Sequence, residues 1–315
     1  MADRQPILVT GTHRSGTTWV GRMLAASPEV GYIEEPFSLL HRRGVLDVSF
    51  PFWFPYISSQ NEAPYIGPIS SMLDFRYRSG AELKSLRSPR DMGRMVRDWS
   101  RFRRYRRRRV RPLLKDPIAV FSAEWLAERF GALVVVTARH PAGFVSSIMR
   151  LGWTHPFDHF LRQPALMHNL LAPFEDEVRL FAAEDRPLLD QAILLWNLVH
   201  HVIRGYRERH PDWTFVRHED LARDPLDGFR SLYRRLELSF GSSVEAFIAG
   251  HSERSDSSAG ISPFDVRRNS QETISVWRTR LTGDQIDRVR KGVEPIVRDF
   301  YSDAEWEGTL RSGTG

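Results

Sequence analysis

The chain contains no cysteine. This excludes a disulfide scaffold, a thiolate metal site and a cysteine nucleophile, and it fits a reducing, cytoplasmic setting. Long apolar runs are also missing: stretches such as Leu133–Val136 fall far short of the roughly 18 to 20 residues a membrane span needs. No apolar segment stands behind Met1–Gln5 before the chain runs into a glycine turn, so no secretory leader is expected. Acidic residues are absent from Arg101–Arg111, which holds eight arginines. Taking those eight charges from the net +6 leaves the remainder at −2, so the basicity is local and says little about the protein as a whole.

What remains is an ordinary globular composition of 315 residues, 41% hydrophobic and 27% charged, enough for one large domain. Short β-branched runs at Pro6–Thr10, Pro112–Leu114, Ala132–Ala138 and Trp213–Arg217 each precede a helical pattern. Runs such as Leu133–Val136 are apolar on both faces, as in a parallel strand covered by helices on either side. The expected fold is therefore α/β, a three-layer sandwich around a central parallel sheet. Residues 41–111 and 154–187 are less regular and read as insertions into a single domain spanning 1–315, with a frayed tail from Gly308.

Met92, Met95, Val96, Trp99, Phe102 and Tyr105 recur at helical spacing and put most of the arginine run on the opposite face. That face reads as solvated, as an electrostatic funnel for an anionic substrate or a membrane surface, or as a nucleic-acid contact. The last is disfavoured because no nucleic-acid module accompanies it. His155 and His159 have metal-like spacing, but Pro156 and Pro164 argue against a ligand helix and no third ligand is evident, so no metal is expected. His200 and His201 fall within the amphipathic pattern Gln191–Arg209 and read as helix-face residues.

The richest segment is Val9–Trp19, Val-Thr-Gly-Thr-His-Arg-Ser-Gly-Thr-Thr-Trp, set between the first strand and a helix. A glycine turn into a helix N-terminus exposes backbone N–H groups and partial positive charge, which favour a phosphate. Gly11 and Gly16 have the spacing of a nucleotide-binding G-x-x-x-x-G-K-[ST] loop, but Thr17 stands where its lysine would be and the nearest cation is Arg14. A P-loop kinase would lack its central electrostatic part.

Arg14–Trp19 resembles instead the first motif, [K/R]-S-G-T-T-[W/L], of the sulfotransferases that use 3'-phosphoadenosine 5'-phosphosulfate (PAPS). The arginine form is closer to the tyrosylprotein and carbohydrate branches than to the small-molecule cytosolic enzymes. The resemblance implies that Ser15, Gly16, Thr17, Thr18 and Trp19 hold the 5'-phosphosulfate side with Arg14, which neutralises charge near the bridging oxygen. Arg139, at the end of a strand, and Ser147, eight residues later, match the family's 3'-phosphate site. Lys115-Asp116-Pro117 matches a Lys-Asp-Pro motif whose lysine stabilises the transferring sulfuryl group. Glu35, twenty-one residues after Arg14, matches the catalytic base of the tyrosylprotein branch; Glu34 is the internal rival and His41 a lesser one. Ser275-Val276-Trp277 resembles a Ser-x-Trp segment that closes over the nucleotide, with Ser275 a hydrogen-bond donor. Val216–Leu221 resembles V-x-Y-E-D-L, but His218 replaces the tyrosine on the adenine side, and the R-K-G-x-x-G-D-W-K-N loop of the cytosolic branch is absent.

Together these imply sulfuryl transfer from PAPS to a hydroxyl-bearing acceptor, with carbohydrate or glycolipid the first expectation, in a bacterial-type cytosolic enzyme. Phe52, Trp53, Phe54, Tyr56, Trp153 and Phe157 are expected to line the acceptor pocket. Two alternatives stay open: a P-loop nucleotide kinase, and an arginine-rich protein that binds nucleic acid or a membrane surface.

Overall fold

A computed structural model describes residues 5–252 and 272–307. The residues read as leaderless, Met1–Arg4, and the tail from Gly308 lie outside them. Five strands form one parallel sheet in the order β2-β3-β1-β4-β5: β1 Ile7–Gly11, β2 Val30–Glu34, β3 Arg111–Lys115, β4 Leu133–Ala138 and β5 Thr214–Arg217.

Side-chain alternation builds the three layers. Ile7, Val9, Leu113 and Val135 point to the side of helix α1, Thr17–Leu24, and pack on Val20, Met23 and Leu24. Leu8, Leu114, Val134 and Val136 point the other way, into a larger core with the helices Ala123–Phe130, Pro141–Leu151, Leu188–Arg209 and Gly283–Val297. Phe54, Ile69 and Phe102 of the first insertion, and Phe157, Phe160 and Leu171 of the second, join this larger core.

Four strands correspond to the runs read from the sequence, and β2 is the addition. It is an edge strand of five residues containing Gly31, too short to show a period. Its pairing to β3 defines it, with Glu34 opposite Lys115. Gly31 leaves room for aromatic packing, since a Cβ there would meet Phe75 and Tyr105 at 2.5 and 2.9 Å.

The arginine-rich helix, Pro89–Arg108, departs from expectation. Phe102 is buried, but Met92, Val96 and Trp99 are 44, 52 and 41% exposed. The buried face is turned toward Asp98 and Phe102 because Arg42 donates to Asp98 at 2.5 Å and also to Glu82, tying this helix to the preceding loop. Arg103, Arg104 and Arg106 to Arg109 are exposed. Arg111 is spent on structure, donating to the Gln5 and Leu236 carbonyls at 3.0 and 2.6 Å. No helix of the described residues is long and apolar enough to cross a membrane.

Candidate active site

Parallel pairing puts every strand's carboxyl end on one edge of the sheet, where such folds bind ligands. Gly11 lies opposite Thr137, Glu34 opposite Lys115 and Ala138 opposite Arg217. The residues that follow these strands, from Thr12 to Thr18, Glu35, Asp116, Arg139 and His218, therefore gather around the start of α1.

Gly16 caps α1 at φ 95° with no capping side chain, so the N–H groups of its first turn are left for an anion. Two close approaches demand glycine in this loop: a Cβ on Gly11 would lie 2.2 Å from the Thr137 carbonyl oxygen, and one on Gly16 would lie 2.7 Å from His218 Nδ1. Beneath the loop, Ser15 Oγ donates to the Thr12 carbonyl at 2.5 Å and lies 2.6 Å from Thr137 Oγ1, which itself donates to the Thr10 carbonyl. The Ser15 side chain thus anchors the loop to β4. Thr17 is buried, and Trp19 packs edge-to-face on Phe229 and His218. Burial, then Arg139, pushes His218 down to about 3, so its imidazole is neutral.

Arg14, Arg139 and Ser147 come together from three segments. Arg14 Nε donates to Ser147 Oγ at 3.0 Å and Arg139 donates to the Arg14 carbonyl at 2.8 Å. Trp153 lies under the Arg14 guanidinium at 5.9 Å. The turn that follows Arg139 is held by a residue whose part was not anticipated: buried Glu219, within Val216–Leu221, accepts from His140 N at 2.9 Å and from Tyr301 Oη at 2.9 Å. Trp277 stacks on His140 at 5.1 Å. Ser275 is exposed, on the segment Glu272–Ser275 that packs against Pro141–Leu151 and His218–Arg223.

On the other side of the loop, Lys115 Nζ lies 2.5 Å from Glu35 Oε1 and 3.4 Å from Glu34 Oε1. Lys115 is wholly buried, while Glu35 and Glu34 side chains are 36 and 46% exposed. The lysine stem passes α1 at Gly21, where a Cβ would come within 2.8 Å of Lys115 Cγ. Glu35 has φ 45°, in the left-handed region that non-glycine residues enter at a cost. Three bonds hold it there: Glu35 N donates to the Lys115 carbonyl at 2.8 Å, Ser38 N to the Glu35 carbonyl at 3.2 Å, and Phe37 N to Asp116 Oδ2 at 2.6 Å. Asp116, the middle residue of the Lys-Asp-Pro segment, also accepts from Ile118 N at 3.1 Å. Burial pushes its carboxyl up to about 7.

One expectation changes. Phe54 and Phe157 are 1 and 2% exposed and belong to the core rather than to an acceptor wall, because rings of that size gain most by leaving water. Of the expected aromatic wall, Trp153 and buried Phe54 both border the loop, each with its ring 5.9 Å from that of His13. His41 has both ring nitrogens against the Ser38 and Leu46 carbonyls, at 2.6 and 3.0 Å, so the ring is engaged by its own loop. His159 Nδ1 accepts from Trp53 N and His155 stacks on Phe160, so both serve packing. Among the described residues no group of three His, Asp or Glu could hold a metal ion.

A parallel sheet with a glycine loop after β1, cations at the ends of β3 and β4, and a carboxylate beside the buried lysine make up a P-loop-like α/β fold with a charged cleft at its sheet edge. The chain belongs to the sulfotransferase family, whose model matches residues 6–242. Members of that family use PAPS as the sulfuryl donor. The chain is similar to mouse carbohydrate sulfotransferase 1, 29% identical over 108 residues, which is 32% of this chain and 26% of that protein. It is similar to human carbohydrate sulfotransferase 2, 36% identical over 87 residues, 26% of this chain and 16% of that protein. The match thus spans about a quarter or less of these relatives' length. Among solved structures it is similar to the sulfotransferase domain from the curacin biosynthetic pathway, at 14% identity and TM-score 0.47 over 92% of this chain and 98% of that one. It is also similar to mouse SULT7A1 complexed with PAP, at 12% identity and TM-score 0.43 over 96% and 86%.

Proposed function

We propose that this chain transfers a sulfuryl group from PAPS to an acceptor hydroxyl, with a carbohydrate or glycolipid as the acceptor class. The observation that carries this reading is the division of the sheet edge. Arg14, Arg139 and Ser147 converge on one side of the loop, and the Lys115–Glu35 pair stands on the other. The uncapped start of α1 and the three-segment cluster suit a ligand with separated 5'- and 3'-phosphates.

When bound, PAPS supplies the sulfuryl group and a phosphate leaving group. Arg139 and Ser147 hold the 3'-phosphate by charge-assisted hydrogen bonds. Arg14, between the loop and Ser147, neutralises the phosphosulfate side, and the first-turn N–H groups of α1, with Thr17 and Thr18, orient it. Ser275 donates a hydrogen bond from the segment that closes the nucleotide side. Glu35 takes the proton of the acceptor hydroxyl, and Lys115 supplies positive charge where negative charge builds between acceptor and leaving oxygens.

Thermal unfolding with 3',5'-adenosine bisphosphate, with Mg-ATP and without ligand tests the donor. A ligand at ~100 times its dissociation constant stabilises by about 2.7 kcal/mol. Stabilisation by the bisphosphate alone is expected. Stabilisation by Mg-ATP alone would favour a kinase and overturn the proposal.

A further inference from the structure

Glu34 and Glu35 open onto a groove of about 450 Å³, whose far wall is the arginine-rich helix. Leu40 and His41 border it on the loop side, and Arg94, Arg97 and Arg101 line the helix side. These arginines are spaced three and four residues apart, so they share one face and run about 10 Å along the groove.

The charges facing the groove are unequal in availability. Asp98 is 4% exposed and closed off by Arg42 and Arg101 at 2.5 and 3.1 Å. Arg42 is further engaged by Glu82. Glu34 and Glu35 lie over the buried Lys115 ammonium. Arg94 and Arg97 have side chains 61 and 71% exposed, with their acids, Asp91 and Asp98, no closer than 3.7 and 3.8 Å. Two extended guanidinium groups therefore stand in the same groove as the carboxylate pair, and their fork geometry matches carboxylate, sulfate or phosphate oxygens.

We propose that the acceptor is anionic, carrying a carboxylate, sulfate or phosphate group that Arg94 and Arg97 seat while its hydroxyl lies at Glu35. This rests on the sulfotransferase reading and names its acceptor class. The anion has two sources, an acidic saccharide or the headgroup of an acidic lipid, and the same arginines would take either.

The test uses the full chain saturated with adenosine bisphosphate, at about 50 mM salt where exposed charges are weakly screened. Binding is measured by calorimetry for a hyaluronan tetrasaccharide and for chitotetraose, and by co-sedimentation for phosphatidylglycerol and phosphatidylcholine vesicles. The wild type is compared with the double variant Arg94→Gln, Arg97→Gln. Preference for the acidic over the neutral member of either pair, weakened about tenfold or more in the double variant, is the expected result, and the pair that responds identifies the source. Equal binding of acidic and neutral probes, an unchanged double variant, or no binding of either acidic probe would overturn the proposal. The bisphosphate thermal shift is read on both proteins and keeps the two ideas separate. Its absence from the wild type sinks the donor site, whereas its presence without arginine dependence sinks only the anionic acceptor.

Discussion

Replacing Glu35 with Gln removes a proton acceptor and changes little else. The amide keeps an oxygen for Lys115 Nζ, now 2.5 Å from Glu35 Oε1, and Glu34 at 3.4 Å still balances the ammonium. Because the Glu35 side chain is 36% exposed, the stability cost is that of weakening one hydrogen bond to a charged group, about 1 kcal/mol. In a chain of this size that lowers Tm by roughly 1–2 °C. The chemical cost is much larger: loss of a positioned general base typically costs about 10²–10⁴ in rate, or roughly 3–5 kcal/mol of barrier. Transfer of labelled sulfate from PAPS to an acceptor should therefore fall at least about a hundredfold. The thermal shift with adenosine bisphosphate should stay near wild type, because Arg14, Arg139 and Ser147 are untouched. Glu34→Gln is the control and should keep activity within about tenfold, since Glu34 is the more distant partner of Lys115. A Glu35→Gln enzyme within a few fold of wild type would refute the assignment, and a larger loss in Glu34→Gln would move the base to Glu34.

Asp116→Ala should leave the Phe37 and Ile118 N–H groups buried without acceptors, costing about 2–5 kcal/mol by urea unfolding and lowering turnover as Glu35 loses its support; Asp116→Asn, with one acceptor oxygen, should recover part of both. An Asp116→Ala protein with a wild-type midpoint would end the positioning role. Phe54→Ala should cost about 3–5 kcal/mol as a cavity in the core, and an unchanged Tm would return Phe54 to a pocket wall. His200 is held down to about 3 by burial, so the folded state keeps it neutral where the unfolded chain takes a proton. The stability this gives is present above pH 6.5 and is lost as pH falls toward 3, by up to about 1.4 kcal/mol per unit. Asp116 and Glu219, pushed upward by burial, act in the opposite direction, so the informative quantity is the difference between wild type and His200→Gln. Wild type should lose more stability than the variant between pH 6.5 and 5, and parallel Tm profiles would refute the buried-imidazole account.

The loop after β1 was legible in the chain because its parts are local. A strand, a glycine turn and a helix start occupy Ile7–Leu24, and the positive φ of Gly11 and Gly16 belongs to that turn itself. Arg139 and Lys115 were readable because each directly ends a run whose apolar character marks a buried parallel strand. Tertiary structure decided what depends on contacts between distant segments. Strand β2 exists through its register with β3, and that register brings Glu35 to Lys115 across 80 residues. The hold of Asp116 on Phe37 and of Glu219 on His140 likewise joins segments 79 apart. The arginine-rich helix makes the same point, since its 3.6-residue period offered an apolar stripe but not its rotation. Asp98 closing on Arg42 turned Met92, Val96 and Trp99 outward and set Arg94 and Arg97 along the groove. Periodicity records that a face is apolar or charged, whereas the partner that a face meets is set by the lowest free energy of the whole packed chain.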